Sequence, residues 1–570
     1  MFDQTQHERC TTRREFLGGA AATAGMFAIP SLTPAAAQGQ TAESEERARI
    51  ETAIPAKAFA APLKPRKLLI FDLNVNYGGH PSARTANVAF ALTGRRTGAF
   101  ETVVSKDPAV FAPASLRQFD AVFFNNTVGN LFQDASLRQS LVEFIYAGGG
   151  LMGVHGTSVA FTQWPGAIED WPEFGVMLGA RGANHRANTE HVFIKLDDPA
   201  HPVNRVFEGQ GFDYRDEFFR VHEPYSRNRV RVLLSIDTTK TDMNQGPAYG
   251  KLERPDNDYA LAWVRQYGRG RVFYCGFAHH PSVFWDPKML QFYLAATQFV
   301  LGDLPAPTTP SAKLTPAVRA QEQLGWRLGF IPSASPNETL FEAVDEAASR
   351  GLLYVCGGSS QTVSRDIAKP LDGQLGSKEM EQVRLKLDAA GVRLLTYRID
   401  RMPSDETACR GVFEFARKMG VEAVIAEPPV ATLDIVEKLC DEYDLHFAMT
   451  AGDERGTPQE ILKLCGNRSR RIGACANIGL WMRRGIDPVE GVRLLRDRLA
   501  VLNLGMREAT ATDGEKLGSV LSEVHRLGLK PTMFAVRRPG GPGGATANVA
   551  SLIQLFNTTA IQLADKGAQQ

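Results

Sequence analysis

Eight of the eleven histidines fall between residues 80 and 280, in company with several carboxylates. That crowding of imidazoles in less than half of the chain is where chemistry is first sought. The stretch GGGLMGVHGTS joins a glycine run, a buried apolar strand and a sharp turn, which predicts an exposed His155 at a strand-to-helix elbow. Such an elbow projects one side chain into a cleft beside free backbone N–H groups. An imidazole held there can act as a base, an acid or a metal ligand. Trp164, Trp171, Trp263 and Trp285 share this half; aromatic rings stack on the apolar faces of sugars, although Trp263, in YALAWV, reads as core. His191, His201 in DPAHP and His222 in VHEPY read as loop or capping residues. The glycine run is a weak phosphate signal, because no strand-GxGxxG-helix context surrounds it.

These residues need a scaffold, and 570 residues exceed one ordinary core, so two domains of about 200 to 260 residues are expected. The segments RKLLIFDLN, FDAVFFNNT, ASLRQSLVEFIYA and GGGLMGVHG alternate strand with helix and predict an α/β layered domain around a mostly parallel sheet, residues 66–303. The Pro-, Ser- and Thr-rich stretch that follows predicts a linker over 304–318. From 319 to 570, apolar strands recur at RLGFIPS, GLLYVCGG, VRLLTYRI, VEAVIAEP, LHFAMTA, RIGACAN, RLAVLNLGM and PTMFAVR, mostly with a helix between them. Eight such units predict a (β/α)₈ TIM barrel, whose working residues stand at the C-terminal ends of the strands.

At the N-terminus, Arg13 and Arg14 precede Phe16, Leu17, an apolar run and the small residues Ala35 and Ala37. This pattern predicts a twin-arginine signal peptide over 1–37 and a protein of the periplasm or the exterior. Residues 38–65 read as a mobile lead-in. A formal charge of +1 with 22% charged residues gives no reason to expect nucleic acid, and no later apolar run reaches the length of a membrane span. The six cysteines beyond Cys10 form no disulfide framework and read as buried thiols.

Two resemblances follow from the motifs. GGGLMGVHGTS, WPEFGVMLGARGANH, YRDEFF and WVRQYGRGRVFYCGFAHHPSVFW resemble the ThuA-like (trehalose utilization) family across nearly the whole first domain. That likeness implies a class I glutamine amidotransferase-like, flavodoxin-type fold with His155 where the amidotransferases keep Cys, hence no glutaminase activity. It also implies carbohydrate as substrate, in particular 3-keto-glycosides made by a partner sugar dehydrogenase. Carried onto this chain, it makes His155 and Glu217 catalytic, Asp216 substrate-binding, and His185, His279 and His280 ligands of a divalent metal. Two or three His with a carboxylate suit zinc or another borderline ion.

The second resemblance, on GACANIGLWMRRGIDPVEGVRLLRDRL, VEAVIAEPP and TPQEILKL, is to the sugar phosphate isomerase/epimerase (xylose isomerase-like) barrels. Those enzymes hold a divalent metal with Glu, Asp and His. Here Glu427 matches, but Asn477, Leu480, Asn503, Thr450, Gly452, Phe534 and Ala535 stand at the other ligand positions, so the barrel is expected to hold no metal. Glu427, Asn477 and Trp164 remain as sugar-binding candidates. RRPGGPGGA, after the last strand, reads as a surface loop or, with Arg537 and Arg538, an anion site.

The resulting expectation is an exported isomerase or lytic hydrolase of a keto-sugar or 3-keto-glycoside, working through the first domain with the barrel as sugar-binding scaffold. A non-catalytic periplasmic glycan-binding or assembly protein is the first alternative. A barrel isomerase built on Glu427 is the second.

Overall fold

The computed structural model describes residues 35–332, 338–450, 456–505, 511–537 and 546–568. The chain divides into a short unit ending at Glu46 and a compact body from Arg47 onward. Most of the signal segment, Gly452 and the Gly-rich stretch from Arg538 to Ala545 lie outside the described residues.

The first domain is built on nine strands: β1 (Lys67–Phe71), β2 (Glu101–Ser105), β3 (Ala121–Asn125), β4 (Gly150–Val154), β5 (Glu190–Leu196), β6 (Phe212–Asp216), β7 (Arg231–Ile236), β8 (Ala260–Tyr267) and β9 (Gly270–Cys275). Their order in the sheet is β2-β1-β3-β4-β9-β8-β7-β5-β6. From β2 to β9 all neighbours are parallel, and β3 and β4 are buried on both faces, which is why they read as unbroken apolar runs. Beyond β9 every pairing is antiparallel, so the sheet is mixed rather than mostly parallel. The cause is local: β8 and β9 are joined by a tight turn at Gly268, whose φ of 61° suits glycine, leaving no room for a crossover helix.

The lead-in is ordered where it is described. A helix, Ala35–Ala53, ends with Ile50, Ala53 and Ile54 buried in the same apolar cluster as Phe292. Beyond it the Gln298 side chain receives the N–H groups of Phe59 and Ala60, and Arg66 grips Asp303. The linker is stitched down as well. Ser311 exchanges hydrogen bonds with Val230 and Val232, and Pro316–Leu324 is a helix capped by Thr315.

All eight strand segments read from the second half are strands: β10 (Leu328–Ile331), β11 (Tyr354–Gly358), β12 (Arg393–Arg398), β13 (Ala423–Ala426), β14 (His446–Met449), β15 (Ile472–Asn477), β16 (Leu499–Asn503) and β17 (Met533–Arg537). They close in sequence order into a parallel barrel, with β17 pairing back to β10. Its interior is filled by Ile331, Cys356, Leu395, Ile425, Ala448, Val501, Met533 and Ala535, a packed core rather than a channel. Phe534, between two of these, points outward into the layer under the helices.

The two domains meet at the ends that carry no candidate chemistry. Gly268, in the β8–β9 turn, lies against Gly420, just ahead of β13; a Cβ on Gly420 would stand 3.0 Å from the Gly268 Cα. Glu173 and Arg384, both buried, form a two-pronged ion pair across the joint at 2.7 and 3.1 Å, and Tyr267 donates its hydroxyl to the same carboxylate. Arg265 and Arg229 reach Asp388, and Arg231 reaches Glu322. Contacts on the barrel therefore fall before its strands, and its C-terminal rim faces away from the first domain.

All six cysteines from Cys275 to Cys475 are free, and five of them are buried. Among the described residues no helix is long and apolar enough to cross a membrane.

Candidate metal and acid-base centre

The parallel strands bring their C-terminal ends to one edge of the sheet, where open α/β folds bind ligands. His80 comes from the loop after β1, Asn126 follows β3, His155 follows β4, Glu217 follows β6, and His279 and His280 follow β9. The short strand Arg181–Arg186 brings His185.

His155 sits on the elbow anticipated from the sequence, but two features differ. The turn is a short 3₁₀ segment, His155–Val159, and the imidazole is fully buried rather than exposed. The reason is Phe219, whose ring stacks on it at 4.3 Å, with His80 and His279 packed edge-on at 4.8 and 5.5 Å. His155 has a φ of 41°, uncommon for any residue but glycine. Its carbonyl is fastened by the hydroxyls of Tyr274 and Ser158, and the Gly156 N–H binds Asn126.

Hydrogen bonding orients the ring. The Nδ1 of His155 lies 3.0 Å from the Gly276 carbonyl, which only accepts, so Nδ1 carries a proton and Nε2 is turned toward Glu217. That Nε2 is 3.3 Å from Glu217 Oε1 but makes no hydrogen bond. His80 Nδ1 and His279 Nδ1 are likewise buried without partners. His185 Nδ1 stands 3.3 Å from the other Glu217 oxygen while donating to the Arg186 carbonyl, and His279 Nε2 is 3.9 Å from it.

Burial, reinforced by His155 and His279, holds His80 well below the usual imidazole range. Burial also lowers His279 to about 4, against the pull of Glu217. Both rings are therefore neutral at pH 7. Burial would raise Glu217, but His155, His185 and His279 outweigh it and leave the carboxyl below its ordinary value. Asp216 is fully buried, and burial lifts it to about 6 although the N–H groups of Glu217, His279 and His280 point at its oxygens.

These side chains form two groups that could hold a metal: His80 with His155 and Glu217, and Asp216 with His279 and His280, the candidate ligand atoms of each lying within 4.8 Å of one another. Nitrogen and carboxylate donors suit zinc or a neighbouring borderline ion, whose bonds of about 2.0 to 2.2 Å place ligand atoms a little over 3 Å apart. The 3.3 Å between His155 and Glu217, and the three orphaned imidazole nitrogens, fit that requirement. The grouping differs from the sequence expectation. His185, His279 and His280 do not form a trio, whereas His155 and Glu217 join His80, a residue that sequence reading passed over. Its signal was present in NYGGHPS, a glycine turn directly after the first parallel strand.

Trp164 is half-buried beside Tyr77, at 5.6 Å, and both pack on the small cluster of Val128, Val159 and Phe219. They give the centre an aromatic flank. His201 caps a 3₁₀ turn, its Nδ1 receiving the Val203 N–H, in keeping with a structural role.

In the barrel, Asn477 and Glu427 are not brought into one pocket. Asn477 lines the mouth together with Thr450, Leu480 and Asn503, whereas Glu427 is exposed and lines an adjoining groove with Glu460 and Lys463. Asn477 also caps the following helix, accepting from the Leu480 N–H.

The architecture is thus a flavodoxin-type α/β domain carrying a histidine-rich centre, followed by a TIM barrel. Residues 67–300 match the family model described as ThuA, trehalose utilisation. Solved structures similar to the chain include a putative ThuA-like protein from Bacteroides uniformis, at 18% identity and a TM-score of 0.34 over 42% of this chain and 93% of that one. A xylose isomerase domain protein from Planctomyces limnophilus is similar at 12% identity and 0.33, over 42% of this chain and 99% of that one. A sugar phosphate isomerase/epimerase from Parabacteroides distasonis is similar at 13% identity and 0.31, over 42% and 94%. No curated protein matches the chain.

Proposed function

We propose that this protein is an exported carbohydrate-processing enzyme whose first domain isomerises or lytically cleaves a keto-sugar or keto-glycoside. The observation that carries the reading is the set of buried imidazole nitrogens without partners, His155 Nε2, His80 Nδ1 and His279 Nδ1, gathered about Glu217. Such an arrangement costs stability unless something binds to it. His155, His80 and Glu217 would hold a divalent ion of zinc type, with Asp216, His279 and His280 as the second donor group. When bound, the ion would polarise a sugar carbonyl as a Lewis acid.

The protein's own groups would do the rest. A ketone acidifies the adjacent C–H, and a neutral imidazole is the natural acceptor of that proton. His185 flanks Glu217 and is placed for that duty once His155 is a ligand; without an ion, His155 Nε2 itself is the base. Trp164 and Tyr77 would receive the apolar face of the sugar. The trehalose utilisation match over residues 67–300 supports carbohydrate as the substrate class, and a sugar dehydrogenase would supply the oxidised sugar. Paired Arg13 and Arg14 support export by the twin-arginine route, which fractionation of an Arg13→Lys, Arg14→Lys variant tests.

The deciding experiment is metal analysis of the mature chain beside His155→Ala, together with turnover of a 3-keto-glucoside. About one ion per chain, released in the variant along with activity, supports the proposal. A metal-free chain that turns nothing over refutes it and favours a passive glycan binder.

A further inference from the structure

The barrel mouth is lined by groups that give hydrogen bonds and positive charge. Alternation along β17 places Met533, Ala535 and Arg537 on the interior face, so Arg537 stands above the packed core where the strand ends. Arg398, the last residue of β12, enters the same pocket, a space of about 200 Å³. The Arg537 side chain is half-buried and makes no hydrogen bond or ion pair among the described residues. Burial, with Arg398 nearby, presses its guanidinium below the usual value. Asp400 lies 3.2 Å from the Nε of Arg398 at the exposed outer side, yet that Nε is buried and makes no hydrogen bond.

The amides add to this polarity. The Oδ1 of Asn477 accepts from the Leu480 N–H, and the Oδ1 of Asn503 accepts from the Gly505 N–H. Since a backbone N–H can only donate, both side chains must turn their oxygens to the chain and keep their NH₂ groups for the pocket. Glu427, the carboxylate that follows β13, lies in the adjoining groove instead. Two guanidinium groups and two amide donors facing one half-enclosed space suit a ligand that is all acceptor.

We propose that the mouth of the barrel binds the oxyanion of a small ligand, a phosphate ester or a sugar carboxylate, between Arg398 and Arg537, with Asn477 and Asn503 donating their amides. On this reading the barrel is a sensor or substrate-holding site for an anion. It stands on a rim turned away from the histidine centre, so the two bind independently.

Calorimetric titration of the full chain, stripped of metal by chelation, tests this with inorganic phosphate, glucose 6-phosphate, glucuronate and neutral glucose. At least one anion is expected to bind, weakening with salt, and glucose is expected to bind at least about tenfold more weakly. Binding of the phosphates alone assigns a phosphate ester, and binding of glucuronate assigns a carboxylate. Arg537→Gln and, separately, Arg398→Gln should each lower the affinity about tenfold or more, Arg537→Lys should restore part of it, and His155→Ala should leave it unchanged. Circular dichroism identifies any variant that has lost its fold. The proposal is overturned if no anion binds, or if both folded glutamine variants bind like the parent. Loss of metal and turnover in the first domain would leave this result untouched, so the two proposals fail separately.

Discussion

The Nε2 of His155 faces Glu217 Oε1 across 3.3 Å while its Nδ1 donates to the Gly276 carbonyl. In the neutral imidazole this leaves two acceptors face to face, and the contact becomes favourable once a cation or a proton lies between them. His80 closes the same space from the β1 loop, its ring centre 4.8 Å from that of His155.

His80→Ala is therefore expected to weaken zinc binding by about tenfold or more without unfolding the domain, comparable to losses seen when a site's supporting contacts are removed. Competition with a chromophoric chelator measures this. Unchanged affinity in His80→Ala would assign the ion to Asp216, His279 and His280 instead.

The elbow has its own support. Tyr274 is buried and donates its hydroxyl to the His155 carbonyl at 2.9 Å, sharing that oxygen with Ser158. Tyr274→Phe should cost about 1 kcal/mol of stability, the ordinary net worth of one hydrogen bond, as read from urea unfolding. It should also weaken metal binding, because a residue at φ 41° stays there only while its surroundings insist on it. A variant with lower stability but the parent's metal affinity would show that the elbow needs no such tether.

At the joint between the domains, Glu173→Gln leaves the buried Arg384 without its counter-charge. A loss of about 3 to 5 kcal/mol is expected from breaking such a pair, while Glu173→Gln combined with Arg384→Met should recover much of it. Urea unfolding of the parent, Glu173→Gln, Arg384→Met and the double variant forms the cycle. Equal losses in the single and double variants would mean that the joint is held by apolar packing and the remaining ion pairs.

The sequence made both architectures legible because their strands are apolar on one or both faces and their helices keep a helical period. The eight barrel strands and the β4 elbow follow from that patterning. The antiparallel half of the first sheet was signalled by QYGRGR between two strands, a hairpin rather than a crossover. What did not show was convergence. Phe219, which buries His155, and Arg398, which shares a pocket with Arg537, come from distant segments that only the closed sheets bring together. Glu427 was legible as a motif residue, but its backbone position turns it out of the mouth that Asn477 lines.

The last prediction concerns acid. Glu422 precedes β13 at the barrel's lower rim, 2.6 Å from Arg327 and 2.9 Å from Arg393, which in turn reaches Gln266 of the first domain. Burial would raise this carboxyl, but the two guanidinium groups prevail and hold it at about 2, against an ordinary 4.5. Between those two values the unfolded chain binds a proton that the folded one does not, so stability falls as the pH drops from 4.5 toward 2. Above 4.5 the contribution is fully present. Glu422→Gln should accordingly be less stable than the parent at pH 7, and the difference should shrink through that acid window. Thermal unfolding of both proteins from pH 7 down to the acid limit of solubility measures it. A constant difference at every pH would mean that Glu422 acts through its shape and hydrogen bonds rather than its charge.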